Sequence, residues 1–195
     1  QGIWLYDTWM GDNGHYADYV AKWGHLANDY EIYNHKANKI NGEYSNNVLS
    51  VSAEYGRKKD IGSNWYIEPQ AQLQYARVTA ADYVTTQGTE VSLDAINSLI
   101  ARAGFRIGKD INARSTIYFK GDILHEFLGE QEIHAKDGTG IMDKTFANKG
   151  TWYDLGFGFA TALGRSCYAY ADIEKSFGND NDKTYQINVG MNWSF

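Results

Sequence analysis

In the segment 65–76, WYIEPQAQLQYA, apolar and polar side chains alternate without a break from 67 to 75. Every odd position is apolar, and the even positions 68 to 74 are a glutamate followed by three glutamines. A period of two residues predicts a β-strand with one apolar and one polar face. Four consecutive polar residues on one face are too many for a dry protein core. We therefore expect the polar face to line a wet interior and the apolar face to point outward.

The same alternation recurs along the chain, most clearly at 99–107, 153–159 and 185–195. Nine strands are predicted, with bounds good to a few residues, at about 3–12, 15–28, 44–57, 64–78, 94–109, 114–128, 151–164, 165–177 and 184–195. A water-soluble ligand-binding barrel of lipocalin type also alternates, with its apolar face turned inward. Alternation alone does not separate the two arrangements.

Two further patterns favour a membrane barrel. Aromatic residues occupy apolar positions near strand ends, as in the interfacial belts of outer-membrane barrels; they are Trp65, Tyr75, Tyr153, Tyr185, Trp193 and Phe195. Short turn-like connections alternate with longer polar ones; the short ones are 11–14, 57–64, 109–114 and 164–165, and the long ones are 28–43, 79–94, 129–150 and 178–183. Both patterns predict a transmembrane, antiparallel, up-and-down all-β barrel. Because single-chain bacterial barrels close with an even strand number, nine strands indicate either a miscount by one strand or a partial barrel that lacks N-terminal strands.

Composition narrows the function classes. The chain has 195 residues, enough for one domain, and a formal net charge of −6 with scattered lysines and arginines, so we expect no nucleic-acid partner. The single cysteine, Cys167, cannot form an intramolecular disulfide and is expected to be a small apolar filler. No apolar run approaches the roughly 20 residues of a membrane helix.

Several stretches resemble one protein family in order and spacing. They are GDNGHYADYVAKWGHLANDYEIY, GEYSNNVLSVSAEYGRK, WYIEPQAQLQYARVTAADYVTTQG, SLIARAGFRIGK, LHEFLGE and YQINVGMNWSF. Together they resemble the C-terminal β-domain of an autotransporter, the barrel of type V secretion, over about 1–195. The family barrel has twelve strands, preceded by a helix and a secreted passenger. The resemblance therefore implies that residues 1–195 are the last nine strands of the translocator domain.

The resemblance implies a function without catalysis in this chain. The domain would anchor in the Gram-negative outer membrane and support export of its own N-terminal passenger to the cell surface. Its long loops would be external and its C-terminus periplasmic. Its partners would be outer-membrane lipid, the barrel assembly machinery and the passenger. The alternative is a small stand-alone outer-membrane barrel that acts as an adhesin or structural protein through its external loops.

The end of the chain matches the family's C-terminal assembly signal, a polar residue followed by glycine and two aromatic residues. The positions that carry the match are Asn188, Gly190, Trp193 and Phe195. An edge strand offers free amide and carbonyl groups that can add to another sheet edge. We therefore expect this strand to be the handle by which the assembly machinery captures the chain.

The polar positions of the predicted strands should line the lumen. The predicted lining residues are Glu68, Gln70, Gln72, Arg102, Arg106, Lys120, Asp122, Glu126, Asp172 and Glu174. Mixed charge would provide a hydrated wall for an unfolded passenger, although lumen residues can also pair only with one another.

No catalytic residue, metal site or cofactor is predicted. His125 and Glu126 begin an HExxH pattern, but Gly129 stands where the second histidine is required. A protease pairing of His125 with Asp122 or Glu126 is a minor alternative. The fragment 179–183, NDNDK, lacks the spacing of a calcium loop and is expected to be a turn. Pro69 lies inside a predicted strand, so we expect a bulge or an unpaired carbonyl there.

Overall fold

The structure is a computed structural model that describes residues 1–34, 36–164, 166–178 and 185–193. Almost all of these residues are in strands. The strands are β1 (Gly2–Met10), β2 (His15–Tyr33), β3 (Lys39–Arg57), β4 (Lys59–Gly62), β5 (Trp65–Val78), β6 (Ala81–Val84), β7 (Glu90–Leu93), β8 (Ile96–Asn112), β9 (Ser115–Glu126), β10 (Glu130–Lys136), β11 (Ile141–Ala147), β12 (Gly150–Ala162), β13 (Cys167–Phe177) and β14 (Gln186–Trp193). None of the described residues forms a helix long and apolar enough to cross a membrane.

The large sheet is an antiparallel meander in which each strand pairs with its neighbour in the order β1-β2-β3-β5-β8-β9-β12-β13-β14. Short β4 pairs with β5 and continues the line of β3. The nine strands on this path confirm the nine that alternation predicts. Two of them are longer than expected: β2 and β3 pair from His15–Arg57 to Tyr33–Lys39, so 28–43 is the end of a long hairpin rather than a loop.

In this sheet the apolar side chains are exposed and the charged side chains are buried, which is the reverse of the arrangement in a soluble protein. Large apolar side chains are exposed, for example Leu73 at 51% and Phe157 at 53%, whereas Glu68 and Asp122 on the other face are only 7% and 9% exposed. In a water-soluble barrel the burial would be the opposite. The arrangement confirms the prediction that the polar face points inward and the apolar face outward, and it excludes a barrel of lipocalin type.

The polar face is concave. Side chains from strands that are two apart touch across the strand between them, as when Tyr16 on β2 bonds Glu68 on β5, and Tyr118 on β9 lies 3.4 Å from Asp172 on β13. Such contacts require the sheet to curl around this face. The described residues therefore form an open half-barrel with the charged side chains inside and apolar side chains outside.

The two rims of the half-barrel differ in their connections. At one rim, tight turns join neighbouring strands; Ser63 and Asn64 both have positive φ, as a two-residue hairpin turn requires. β14 ends at this rim, because Trp193 pairs with Cys167 at the start of β13. The predicted turn at 57–64 is partly strand, since β4 occupies most of it.

The other rim carries a second sheet, where the sequence predicted long loops at 79–94 and 129–150. Strands β6, β7, β10 and β11 form a four-stranded antiparallel sheet in the order β11-β10-β7-β6, which we call the rim sheet. The loop prediction is wrong here because strands of four residues, such as β6 and β7, give too few positions to show alternation. Of the fourth long connection, residues 179–183 lie outside the described part of the chain.

The rim sheet packs against the long β2–β3 hairpin through aromatic rings. Tyr83 stacks on Tyr44 with ring centroids 5.0 Å apart, and its hydroxyl lies 3.2 Å from that of Tyr30. The amide of Thr86 also donates to the carbonyl of Asn41 at 3.0 Å. Burial raises the pKa of Tyr83, which is consistent with a packed ring. The rim sheet is thus fixed beside the mouth of the concave face.

Pro69 does not produce a bulge. Its pairing with Phe105 on β8 continues in register on both sides. Along the opposite edge of β5, the ladder with β3 stops at Gly56–Gln70, and the ladder with β4 begins at Lys59–Ile67. The pairing is therefore interrupted opposite the proline. A missing N–H explains an interrupted ladder without a shift of register.

Candidate functional site

The concave face carries a continuous set of polar side chains, which we call the polar wall. Its members come from β2, β3, β5, β8, β9, β13 and β14; they are Tyr16, Glu54, Glu68, Gln70, Gln72, Arg102, Arg106, Tyr118, Lys120, Asp122, Asp172, Glu174 and Asn188. Each strand places alternate residues on this face because side chains alternate along a strand. The wall therefore follows from the same pattern that predicted the strands.

Arg102 is the centre of the first part of the wall. Its guanidinium donates to Glu54 at 2.5 Å, to Asp122 at 3.1 Å and to the Gln72 side-chain oxygen at 3.1 Å. The Arg102 side chain is 21% exposed and that of Asp122 is 6% exposed. The N–H groups of the guanidinium are shared among three acceptors, and these hydrogen bonds compensate the buried charges for the loss of contact with bulk water. The interaction joins β3, β5, β8 and β9.

Glu68 organises the next part. It accepts from Tyr16 at 3.0 Å and from Gln70 at 2.7 Å, and it lies 3.6 Å from the Arg106 guanidinium. The Tyr16 hydroxyl also reaches Glu54 at 3.1 Å, which connects this part to the first. One tyrosine hydroxyl therefore bridges two carboxylates from different strands.

Lys120 holds the third part. Its ammonium lies 2.5 Å from Glu174 and 3.5 Å from Asp172, both on β13. Asn188 on β14 donates to Asp172 at 2.9 Å. The Arg106 guanidinium sits 4.7 Å above the Tyr118 ring, and the Tyr118 hydroxyl faces Asp172, so the third part joins the second.

The wall is a surface of paired charges. It contains five carboxylates and three cations, a formal excess of two negative charges. Each cation is within 4.0 Å of at least one carboxylate. No histidine, serine or cysteine takes part in the contacts of this wall among the described residues. The arrangement presents paired charges to the inside of the half-barrel.

Tyrosines of the concave face lie over glycines on the neighbouring strand. Register pairs Tyr16 with Gly56, Tyr66 with Gly108, Tyr118 with Gly158 and Tyr170 with Gly190; Tyr30 pairs with Gly42 in the same way. A Cβ added at any of these glycines would overlap the ring of its tyrosine. The glycines are required because they leave the space in which the rings lie flat against the wall.

All ten residues predicted to line the lumen lie on the polar face. Nine belong to the polar wall, and Glu126 stands apart at the end of β9. Glu126 accepts from the Ser98 hydroxyl and from the amides of Leu99 at 2.8 Å and Leu128 at 3.0 Å. Its role is to tie the ends of β8 and β9 together beside the rim sheet.

Sequence reasoning missed Glu54, Tyr16 and Tyr118 as members of the wall, and it predicted Asn188 only as part of the assembly signal. All four stand at polar positions of alternating strands, with Glu54 between Ala53 and Tyr55. The strand pattern of β3 contained the signal for Glu54. A tyrosine gives a weaker signal, because it is common on either face of a membrane barrel.

His125 does not form the protease pairing considered from the sequence. Its Nδ1 lies 2.7 Å from the Thr151 hydroxyl, and its ring packs edge-on against Phe127 at 4.5 Å. Residue 125 is on the opposite face of β9 from Asp122 and Glu126. The strand separates the imidazole from both carboxylates.

The structure describes three of the four residues predicted as an assembly signal. Asn188 bonds Asp172, Gly190 lies under the Tyr170 ring, and Trp193 points outward with 64% of its surface exposed. Phe195 lies outside the described residues, as does the fragment 179–183 considered as a calcium loop. Asn188 and Gly190 thus each have a structural role in the polar face, whatever else they do.

Comparison with known proteins gives one consistent family. The family model of the autotransporter β-domain matches residues 1–174. The pertactin autotransporter of Bordetella parapertussis is 30% identical over 194 residues, which is 97% of this chain and 21% of that protein. The BrkA autotransporter of Bordetella pertussis is 26% identical over 195 residues, which is 97% of this chain and 19% of that protein. This chain therefore spans about a fifth of the length of these two relatives.

A solved structure shows the same fold. The crystal structure of the β-domain of the Bordetella autotransporter BrkA matches with a TM-score of 0.76 at 23% identity. The match covers 100% of this chain and 72% of that chain. The likeness extends over the whole half-barrel.

Proposed function

Because this chain belongs to the autotransporter β-domain family, we propose that residues 1–195 are the C-terminal portion of an outer-membrane translocator. In this role the domain anchors the protein in the membrane of a Gram-negative cell and supports export of an N-terminal passenger to the surface. The passenger and its activity belong to the larger part of the protein beyond this chain.

The observation that carries the proposal is the inverted polarity of the sheet. An exposed belt of apolar side chains fits lipid, and the polar wall fits a water-filled passage. On β5, Trp65 and Tyr75 flank the belt ten residues apart. At about 3.3 Å per residue and a tilt of about 40°, this separation spans ~25 Å across the membrane, the height of the apolar band in outer-membrane barrels.

We propose that further strands of the same protein close the barrel. In the described residues β1 pairs only with β2, and β14 pairs only with β13, so the sheet has two free edges. Each unpaired backbone group in a bilayer costs several kcal/mol. The BrkA β-domain chain, of which the match covers 72%, has room for the missing strands.

The proposed orientation places the rim sheet outside the cell and the short turns in the periplasm. Outer-membrane barrels have short periplasmic turns and longer external loops, and the two rims of this half-barrel differ in that way. The end of β14 lies at the short-turn rim. Its free edge and outward Trp193 suit it for capture by the barrel assembly machinery, with Phe195 completing the signal.

We propose no catalytic role for this chain. The polar wall would serve export by presenting paired charges and bound water to an unfolded passenger. Salt bridges in such a wall stabilise the barrel and keep its surface free of apolar patches. Neither task needs a reacting group.

The experiment that tests the proposal is isolation of the intact precursor from the outer-membrane fraction before processing. Its mass and N-terminal sequence are then measured. We expect a long passenger and three further strands upstream of Gln1. A signal peptide joined almost directly to Gln1 would contradict the translocator and indicate a small barrel that functions through its external loops.

A second experiment tests the assembly signal. Replacement of Trp193 and Phe195 by serine should slow insertion of the full-length protein into the outer membrane. The matched control is Trp65 replaced by serine, which removes an outward aromatic residue at the same rim but far from β14. Equal insertion rates for the two variants would refute a special role for the C-terminal strand.

A further inference from the structure

The rim sheet has two unlike faces. One face carries Ala81, Val91 and Leu93, each about 9% exposed, and packs towards the mouth with Tyr83. The opposite face carries a group of acidic side chains around a single histidine. By register the charged residues of this face are Asp82, Glu90, Asp94, Glu130, Glu132, His134, Lys136 and Asp143, so its carboxylates outnumber its one lysine among the described residues. The export role uses the packed face and gives no reason for the acidic one.

His134 is held in one orientation at the centre of the acidic face. Its Nδ1 donates to Asp143 Oδ1 at 2.7 Å, across the β10–β11 pair. Its Nε2 faces Glu132 Oε2 at 3.7 Å. Asp94 lies directly across from Glu132, because the Asp94 amide donates to the Glu132 carbonyl at 3.0 Å. One ligand atom from each of Asp94, Glu132 and His134 lies within 4.8 Å of the other two.

We propose that Asp94, Glu132 and His134 form a binding site for a divalent transition-metal ion of the zinc class. Asp143 is the positioning residue of this site. A metal-binding histidine usually donates its second ring N–H to a carboxylate, which fixes the tautomer and turns the other nitrogen towards the metal. The His134–Asp143 bond is this arrangement, and it distinguishes the site from an ordinary acidic patch.

The geometry needs only small side-chain rotations. Tetrahedral zinc with bonds of about 2.0–2.1 Å places its ligand atoms ~3.4 Å apart, and the Nε2–Oε2 distance is already 3.7 Å. The side chains are free to rotate because those of His134 and Glu132 are 45% and 55% exposed. Water would complete the coordination, as it does in zinc sites with three protein ligands.

The local charge favours a cation. In the part of the chain that the structure describes, no lysine or arginine forms an ion pair with Asp94, Glu132 or Asp143. The hydrogen bond that His134 donates to Asp143 raises the pKa of His134, and the charges of the surrounding carboxylates raise it further. A bound divalent cation would neutralise the negative charge of these carboxylates.

The ligand set selects the class of metal. Calcium and magnesium prefer sites made only of oxygen atoms, with six or more ligands for calcium. An imidazole nitrogen with two carboxylates suits zinc and its neighbours in the first transition series. The ion would join the end of β7 to β10 and so stiffen the rim sheet. This consequence holds whether or not the barrel exports a passenger.

The site is tested by titrating Zn²⁺ into the intact protein, purified without a histidine tag, in competition with a chromophoric chelator. Co²⁺ is used in parallel, because its visible absorption reports nitrogen and oxygen ligands. The titration is run above the pKa of His134, since a proton competes with the metal for Nε2. We expect saturable binding of one ion per chain.

Four variants give the expected pattern. His134→Ala and Glu132→Gln should weaken binding at least ~10-fold, and Asp143→Asn should weaken it about 10–100-fold, the range found for residues that orient a metal ligand. Asp82→Asn is the matched control, because Asp82 lies on the same face but bonds Ser92 at 2.6 Å instead of the cluster. It removes the same charge as Asp143→Asn and should leave the affinity unchanged.

Three results would overturn the proposal: no saturable binding to the wild-type protein, unchanged affinity in His134→Ala, or equal weakening by Asp82→Asn and Asp143→Asn. The last would mean general attraction of cations to a negative surface. Each variant is first checked for the altered gel mobility of a folded barrel before and after heating. Glu132→Gln keeps the shape of the side chain, so it remains informative if His134→Ala does not fold.

Discussion

A single methyl group at Gly158 tests the packing of the polar face. Gly158 on β12 pairs with Tyr118 on β9, and a Cβ at this position would overlap the Tyr118 ring near Cζ and the hydroxyl. In Gly158→Ala the ring has to swing away from the wall. It then loses its place under the Arg106 guanidinium and its approach to Asp172.

The size of the effect follows from these losses. Forcing an extra methyl group into a packed site costs about 1–3 kcal/mol, and a cation–π contact contributes roughly 0.5–1 kcal/mol at a partly exposed site. Alanine offsets about 0.5–1 kcal/mol of this cost, because it restricts the unfolded chain more than glycine does. We expect Gly158→Ala to lower the free energy of unfolding by about 1–3 kcal/mol.

Gly121→Ala is the matched control. Gly121 is also a buried glycine inside a strand, but its added Cβ would lie 3.5 Å from Leu155 and from Phe105, which is ordinary van der Waals contact. The alanine should fit and leave stability unchanged or raised by up to about 1 kcal/mol. Both variants replace a glycine inside a strand, but the added methyl group of Gly121→Ala lies on the apolar face and meets no tyrosine ring.

The assay is urea unfolding of the intact protein in lipid vesicles, followed by tryptophan fluorescence. A double variant, Tyr118→Ala with Gly158→Ala, completes a mutant cycle. Without the ring, the alanine at 158 should cost little. The reasoning fails if Gly158→Ala unfolds at the same urea concentration as Gly121→Ala, or if its cost persists in the Tyr118→Ala background.

Three other changes probe separate parts of the fold. Arg102→Met should lower the free energy of unfolding by about 1.5–3 kcal/mol, because it leaves Glu54 and Asp122 without their shared donor; the same urea assay measures it, and an unchanged midpoint would contradict the role of Arg102. Phe157→Arg should lower the free energy of unfolding in vesicles by about 2–4 kcal/mol if residue 157 lies near the bilayer midplane. A decrease below ~0.5 kcal/mol would place residue 157 outside the apolar band. Tyr83→Ala should speed protease cleavage within the rim sheet while the barrel keeps its heat-dependent gel mobility, because Tyr83 holds that sheet to Tyr44; equal cleavage rates would show that the ring contact is not needed.

Alternation predicted the large sheet because membrane strands expose one face to lipid and the other to water along their whole length. Segment 65–76 illustrates the point, since its polar positions proved to be the inward ones. The strand β3 was recognised, but its outer end was not. Residues 28–43 continue the hairpin beyond the apolar band, where the contrast between the faces is weak.

The rim sheet could not be predicted in the same way. Strands β6 and β7 have four residues each and are stabilised by Tyr83 against the β2–β3 hairpin, a contact between residues far apart in the sequence. Short strands depend on such tertiary contacts more than on local preference. Because residues 79–94 and 129–150 are largely polar, the sequence predicted loops there.

Membership of the polar wall was predictable, but its pairings were not. Arg102 stands at a polar position of an alternating strand, so the sequence predicted that it lies on the inner face of the half-barrel. Its bonds to Glu54 and Asp122 depend on the curl of the sheet, which brings β3 near β8 across β5. The proposed metal site is similar, since Asp94 and His134 are far apart in the sequence and match no spaced motif.

The most direct test of the account compares two neighbouring residues on β5 during export. A photo-crosslinking amino acid is placed at Gln74, on the polar face, or at Leu73, on the apolar face, in the full-length protein with its passenger. Illumination while the passenger is crossing the membrane should join it to position 74 and not to position 73. Passenger crosslinks that are equal at the two positions, or found only at 73, would contradict a passage lined by the polar wall.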